Sequence, residues 1–331
     1  MIRSPRNAPR LSVVIPAYDQ PLLLKAALTS LARQGNALDF EVVITDDLGL
    51  RETQWIVDSC GLPHVRYARN PVRLGAVANW NEGLRLARGE WITILHEDDL
   101  LLDGCFARVA EYLRPGVTAL AVRCASGSIL PAGRAAGQSR RRPRRYRPEH
   151  FLKSAMTPFP GVFLRREAAR DLGGFDDAWG PLADYEFWYR LGCYGPVWFL
   201  PETFAFYRVR ENQWTARAWP EMIRRTHLLR LAIAREQFPA HPRLGRWLAR
   251  FFTSRNVDSY ARRFTGGSTS LHRGRALGRI PARCLPSGWV WLGLRGLAWA
   301  GRPPADISHS NIKWQSRTLH SFQTNPPAHV I

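Results

Sequence analysis

The sequence predicts an α/β fold on a mostly parallel sheet flanked by helices, followed by a helical extension. Three observations predict it. Between residues 11 and 95, apolar runs of strand length alternate with segments of helical period. The runs are apolar almost throughout rather than alternating with polar residues, as strands covered on both faces are. Beyond Trp219 the spacing turns helical and basic.

Leu11 to Ile15 (LSVVI) is the first run, closed by Pro16. Leu23, Leu24, Ala27, Leu28 and Leu31 then keep helical spacing between Pro21 and Arg33. Phe40 to Ile44 (FEVVI) is a second buried strand, stopped at Thr45-Asp46-Asp47. Arg51 to Ser59 reads as a helix and Val65 to Ala68 as a third strand. Val77, Trp80 and Leu84 mark the apolar face of a helix within Gly75 to Ala87. Trp91 to Leu95 (WITIL), the fourth strand, runs straight into His96-Glu97-Asp98-Asp99, and Val117 to Val122 is a fifth. In such sheets ligands bind beyond the carboxyl ends of the strands. Ala17-Tyr18-Asp19, Asp46-Asp47 and His96 to Asp99 fall at those ends, so the three polar clusters are expected to converge.

Ser126 to Arg147 breaks this character. It is rich in Gly, Pro and Arg, culminates in SRRRPRRYR, and reads as a mobile basic loop, either simply solvated or attracting phosphate and lipid headgroups. Order returns with Gly161 to Leu164, the turn Gly173-Gly174-Phe175-Asp176 and a helix from Ala183 to Leu191. Val197 to Leu200 and Phe204 to Val209 read as two late strands. Trp289, Trp291 and Trp299, flanked by Arg283, Arg295 and Arg302, form an amphipathic segment that either lies in a membrane interface or packs on the protein. The expected organisation is a tail over 1–10, a catalytic domain over 11–215, a helical basic region over 216–302 and a disordered tail over 303–331. Within the domain, 11–122 form a nucleotide-binding half, 123–148 the basic loop and 149–215 an acceptor half.

The chain is strongly basic, 47 Lys+Arg against 27 Asp+Glu giving a formal +20, and arginine supplies nearly all of the excess. Guanidinium groups keep their charge and grip phosphates with a planar fork, so nucleic acid, anionic lipid or a phosphorylated substrate would suit. Five widely spaced cysteines, with no C-x-x-C pair, argue against a disulfide framework and a structural zinc site. No run approaches the roughly 18 apolar residues of a membrane span, and the N-terminus does not resemble a signal peptide. The expected location is the cytoplasm, with peripheral contact on the inner membrane's cytoplasmic face as an option.

Carboxylates clustered at a strand end suit a hard divalent cation held by oxygen ligands. Mg2+ or Mn2+ fits Asp98, with His96, Glu97 and Asp99 nearby to ligate, orient or bind a ribose hydroxyl. The alternative is a solvated acidic loop capping the helix after Asp103. The series LSVVIPAYDQ, FEVVITDDLG and NPVRLGAVANWNEGLRLARGEWITILHEDDLL resembles the nucleotide-binding half of family 2 glycosyltransferases of the GT-A fold. The resemblance implies an inverting, nucleotide-sugar-dependent transferase in which Glu97-Asp98-Asp99 is the Asp-x-Asp-like motif. It implies that Asp98 is the best metal ligand, joined by His96 and Asp99. By the same resemblance Ala17, Tyr18, Asp46, Asp47 and Glu97 meet the nucleoside, and Arg73 and Asn79 reach base or phosphates. The chain departs from the family pattern at His96, where aspartate is common, and at Thr45-Asp46-Asp47-Leu48, which lacks the usual Gly-Ser continuation.

Leu172-Gly173-Gly174-Phe175-Asp176 and Ala183 to Leu191 resemble the acceptor side of that family, where the position of Asp184 carries the catalytic carboxylate. The chemistry requires one, because an acceptor hydroxyl attacking an anomeric carbon must lose its proton. The helix dipole at Asp184 is expected to favour its ionised form, and a simple cap is the alternative role. Arg210 falls where relatives carry a histidine that can complete the metal shell. It cannot ligate, but it can neutralise a departing diphosphate; the other reading is a surface salt bridge.

The resemblance implies a nucleotide-sugar donor and a glycan or lipid-linked acceptor, with bacterial surface-glycan assembly as the setting. Two other readings compete. A nucleotidyltransferase would want a Gly-rich, Lys- or Arg-bearing phosphate loop after the first strand, which PAYDQP does not offer. A nucleic-acid-binding protein would explain the charge but leaves both acidic clusters without a use, so no nucleic acid is expected.

Overall fold

The computed structural model describes residues 8–49, 51–128, 139–210, 213–214 and 218–264. The tryptophan segment from Trp289 to Trp299, the expected tail over 303–331 and the middle of the basic loop lie outside the described residues. The chain divides into two compact units, one comprising residues 1–148 and 155–213, the other residues 149–154 and 214–331.

The first unit begins with strand β1 (Leu11–Ala17), helix α1 (Pro21–Ala32), β2 (Phe40–Asp46), α2 (Arg51–Asp58), β3 (Val65–Arg69), α3 (Ala76–Leu86) and β4 (Trp91–Ile94). β1 pairs in parallel with both β2 and β4, and β3 extends β2. This is the parallel sheet that the apolar runs predict, and every residue of β1, β2 and β4 is buried. Leu24, Leu28 and Leu31 of α1 join the same core, while Gly83 lets α3 lie against β1, where a Cβ would stand 2.2 Å from Val14 Cγ1.

The remaining strands make the sheet mixed. They are β5 (Leu100–Leu101), β6 (Ala119–Gly127), β7 (Arg144–Tyr146), β8 (Val162–Arg165) and β9 (Val197–Arg208). The strand order is β3-β2-β1-β4-β8-β6-β9-β5, and β7 pairs with β9. β8 runs antiparallel to β4 and β6, whereas β6 and β9 are parallel. Short helices α4 (Cys105–Ala110) and α5 (Arg166–Asp171) and the longer α6 (Ala183–Tyr194) complete the unit.

Two sequence expectations change here. The two late strands are one: two register shifts opposite Val122 to Cys124 skip Pro201-Glu202 and then Phe204, and Pro201-Glu202 broke the apolar pattern without ending the strand. The basic loop is not a loop at its end, since Arg144–Tyr146 add a strand to β9. There the guanidinium of Arg144 lies over the Phe199 ring, 5.3 Å from its centroid and inside the reach of about 6 Å for such contacts.

The described residues of the second unit are helical and basic. Helices α7 (Trp219–Gln237) and α8 (Pro242–Phe264) pack on each other, with Leu229, Ile233, Leu248, Ala249 and Phe252 buried. Arg230, fully buried, donates to the Lys153 carbonyl at 2.8 Å and to Thr253 Oγ1 at 3.2 Å. No helix among the described residues is long and apolar enough to cross a membrane.

Candidate functional site

The site forms where β1, β2 and β4 end. Ala17 and Asp46 are register partners, and Asp47 N–H donates to the Ala17 carbonyl at 3.0 Å. Chain geometry therefore brings the first two polar clusters together. The third joins through Glu97, whose Oε1 accepts from Tyr18 N–H at 2.9 Å.

Asp46 and Asp47 spend their oxygens on hydrogen bonds within the protein, to backbone N–H groups and to the side chains of Tyr67 and Asn70. Asp46 Oδ1 accepts from the N–H groups of Leu48 and Gly49 at 3.0 and 2.9 Å, and Oδ2 accepts from the Tyr67 hydroxyl at 2.6 Å. Asp47 Oδ1 accepts from Leu74 N–H at 2.7 Å and Asn70 Nδ2 at 2.9 Å, while Oδ2 takes Gly75 N–H at 2.9 Å. Gly75 has φ 85°, a conformation that glycine adopts freely. Asn79 is buried and holds Thr45 O through Nδ2 at 3.0 Å and Asn70 through Oδ1 at 2.9 Å. Asp47 and Asn79 thus shape the loop over residues 70–75 from within, while Asp46 holds the turn at Leu48 and Gly49. That loop presents Arg73, whose guanidinium lies 4.6 Å from the ring centroid of the partly exposed Tyr18.

The acidic triplet follows β4. Asp99 is fully buried; Oδ1 accepts from Arg208 N–H at 2.9 Å and Oδ2 has no hydrogen-bond partner among the described residues. Burial first, then the charge of Asp98, push the Asp99 carboxyl well above the usual carboxylate range. His96 is wedged between Trp80 and Phe159, with ring centroids 5.5 and 4.6 Å away, and its buried Nε2 likewise has no partner among the described residues. Burial lowers its basicity, leaving a neutral imidazole able to donate a lone pair. Glu97 is pushed up to about 8, by burial foremost and also by Asp98 and Asp46, while the Tyr18 hydrogen bond pulls the other way.

His96, Asp98 and Asp99 each offer a donor atom, and these atoms lie within 4.8 Å of one another. Two buried polar atoms without partners and a mixed oxygen–nitrogen donor set fit a divalent cation, manganese more readily than magnesium because of the imidazole. Asp98, however, is already paired: its Oδ2 accepts from Arg210 Nη2 at 2.7 Å and Nε at 3.1 Å, and Arg210 Nη1 donates to Gln20 Oε1 at 2.7 Å. The reading of Arg210 as a surface salt bridge is therefore too modest, since the pair sits inside the triplet. Gln20 carried no signal in the sequence that would have marked it.

Asp184 is the second residue of α6, after the N-cap Leu182, and its Oδ1 accepts from Tyr185 N–H at 2.6 Å. The dipole was expected to favour its ionised form; burial outweighs the backbone hydrogen bonds and pushes the carboxyl up to about 6. No hydrogen bond or ion pair among the described residues joins Asp184 to the triplet. The link is aromatic: Trp188 of the same helix lies 5.5 Å from Phe159, and Phe159 lies 4.6 Å from His96. Glu186, by contrast, is committed to Arg190 at 2.6 and 2.8 Å, and Arg190 also holds the carbonyls of Leu172 and Gly174 at 2.7 Å. That pair, which the i,i+4 spacing announces, fixes the Gly173-Gly174-Phe175 turn, which the spacing does not.

Residues 12–173 match the sequence profile described as Glycosyl transferase family 2. Among curated relatives, an uncharacterized Mycobacterium tuberculosis protein is 31% identical over 208 residues, 58% of this chain and 65% of that one. A Campylobacter jejuni GalNAc(5)-diNAcBac-PP-undecaprenol beta-1,3-glucosyltransferase is 31% identical over 111 residues, 33% of this chain and 36% of the relative. The chain spans less than two thirds of the length of these relatives. Among solved structures, S. aureus TarS 1-349 in complex with UDP-GlcNAc superposes with a TM-score of 0.60 at 17% identity, over 80% of this chain and 77% of that one. The Pyrobaculum calidifontis mannosyltransferase PcManGT in complex with GDP-Man and Mn2+ gives 0.52 at 20% identity, over 96% and 85%.

Proposed function

We propose, for a chain that belongs to glycosyl transferase family 2 through residues 12–173, that it moves a sugar from a nucleotide-sugar donor to an acceptor hydroxyl with inversion. The observation that carries this reading is the His96, Asp98 and Asp99 donor set, the first two half-buried and the third fully buried, at the carboxyl ends of the parallel strands. Tyr18, Arg73 and Glu97 border it, Asp47 and Asn79 hold the bordering loop in shape, and Asp46 holds the turn at Leu48 and Gly49.

His96, Asp98 and Asp99 would hold a divalent cation, which when bound supplies electrostatic stabilisation of the diphosphate leaving group. Asp184 is the base. With its carboxyl near pH 6 it is ionised at neutral pH yet basic enough to take a proton from an attacking hydroxyl. The acceptor oxygen forms its bond to the anomeric carbon as the bond to the donor phosphate breaks. The hydroxyl proton goes to Asp184 and the bonding pair leaves with the nucleoside diphosphate. One displacement inverts the centre, so a second carboxylate acting as nucleophile is not needed.

The acceptor is read as a glycan or a lipid-linked glycan of the bacterial envelope; the undecaprenol-linked name of the Campylobacter relative supports this. The transferase domain is taken as residues 11–215, with 216–302 a helical appendage. Arg140, Arg141, Arg142, Arg144 and Arg145 are exposed, and no ion pair engages them among the described residues, which suits a cytoplasmic protein that touches anionic lipid peripherally. Screening hydrolysis of UDP-, GDP- and dTDP-sugars, with and without Mn2+, tests the activity. Metal-dependent release of one nucleoside diphosphate is expected, and no release from any donor would refute the reading.

A further inference from the structure

Two partners have a claim on Asp98. It belongs to the donor set whose atoms gather within 4.8 Å, yet its Oδ2 already accepts two hydrogen bonds from Arg210. The pair is shielded, with 12% of the Asp98 side chain and 31% of the Arg210 side chain exposed, so water screens it less than a surface pair. A second anchor, Gln20 Oε1 at 2.7 Å, holds the far side of the guanidinium. Arg208 is used differently: its N–H meets Asp99 Oδ1 and its Nε meets the Asp98 carbonyl oxygen, each at 2.9 Å. Arg208 therefore ties the end of β9 to the triplet by hydrogen bonds, and among the described residues it is Arg210 that forms an ion pair with a ligand carboxylate.

A guanidinium and a divalent cation repel strongly at contact distance. For a metal to take Asp98, Arg210 must let go, and a released guanidinium needs another anion. The diphosphate of the donor is such an anion, and its oxygens match the planar fork of an arginine. We propose that Arg210 makes metal capture depend on the nucleotide: it holds Asp98 until a diphosphate draws its guanidinium away and opens the carboxylate to the cation. The proposal rests on the transferase reading of the same site. Binding linkage is reciprocal, so the metal must tighten nucleotide binding by the same factor as the nucleotide tightens metal binding.

The test uses the full chain and its Arg210→Gln variant, with Mn2+ alone, UDP or GDP alone in chelator, and metal with nucleotide. Free Mn2+ is followed by its paramagnetic resonance signal and nucleotide binding by calorimetry. The variant is expected to bind Mn2+ alone about tenfold or more tightly than wild type, and nucleotide alone several-fold more weakly, within the roughly 5–150-fold range of such couplings. Those opposite signs are not what a merely structural defect would give. Arg210→Lys keeps the charge and should bind Mn2+ alone as wild type does. Gln20→Ala loosens one anchor and keeps both charges; should Arg210→Gln misfold, this variant should still bind Mn2+ alone several-fold tighter. No gain in metal affinity in either variant overturns the proposal. An Arg210→Gln variant in which nucleotide still tightens Mn2+ binding by the same factor as in wild type also overturns the proposal, but leaves the transferase reading standing. If no protein shows any effect of UDP or GDP on Mn2+ binding, both are overturned.

Discussion

Asn81 and Phe175 exchange two hydrogen bonds across 94 residues of chain: Asn81 Nδ2 donates to the Phe175 carbonyl and Phe175 N–H donates to Asn81 Oδ1, each at 2.9 Å. The bonds tie helix α3, beside the nucleotide-side loop, to the turn that precedes the helix of Asp184. Gly174 makes the approach possible. Its φ is 74°, and a Cβ there would lie 2.5 Å from Asn81 Oδ1.

Asn81→Ala is expected to lower unfolding free energy by about 2–4 kcal/mol, because two partly buried backbone groups lose their partners at once. Asn81→Asp keeps the acceptor but turns a carboxylate oxygen on the Phe175 carbonyl, so it should cost at least as much. Urea denaturation of both variants checks the ranking.

Asp184→Asn should stop the proposed transfer and stabilise the protein at neutral pH. The folded-state pKa of about 6 lies above the 3.8 of a free aspartate, so the folded chain binds more protons between those values. Stability contributed by Asp184 is therefore highest below about pH 4, falls as pH rises to about 6, and stays low above it. Removing the charge should recover about 1–3 kcal/mol at pH 7, allowing for the partial exposure of the residue, and nothing near pH 3. Turnover of wild type should fall as pH drops through about 6. Melting curves at the two pH values, and a rate profile from pH 5 to 8, measure both effects.

The Glu186–Arg190 pair is nearly free of solvent, at 3% and 7% side-chain exposure, and it anchors the Gly173-Gly174 turn through two carbonyls. Burial raises the Glu186 carboxyl and the Arg190 hydrogen bond opposes it. Arg190→Ala strands a buried carboxylate and should cost about 3–5 kcal/mol. Pairing it with Glu186→Gln should recover part of that loss. Chemical denaturation of the single and double variants decides, and an additive double variant would contradict the coupling.

The strands were legible where burial on both faces leaves a uniform apolar run, as in Val13, Val14 and Ile15 or Val42, Val43 and Ile44. Strand β5 was not, because two residues carry no period. Strand β7 was not, because an arginine-rich edge strand reads as a loop until its pairing to Val197–Phe199 is known. The acidic triplet stood out because carboxylates at a strand end are conspicuous in sequence. The saturation of Asp46, Asp47 and Asn79 by internal hydrogen bonds was hidden, since their partners Tyr67, Asn70 and Leu74 sit on other segments. The pairing of Asp98 with Arg210 was hidden for the same reason, the two being 112 residues apart.

In the proposed reaction, carboxylates beyond the parallel strands seat a cation against a nucleoside diphosphate. Calorimetry of UDP and GDP binding, with and without Mn2+, on wild type and Asp98→Ala tests it most directly. Wild type should bind one of the two nucleotides with Mn2+ and much more weakly without it, and Asp98→Ala should lose that metal dependence. Equal affinity of wild type with and without Mn2+, or an Asp98→Ala variant that keeps the full metal effect, would contradict it.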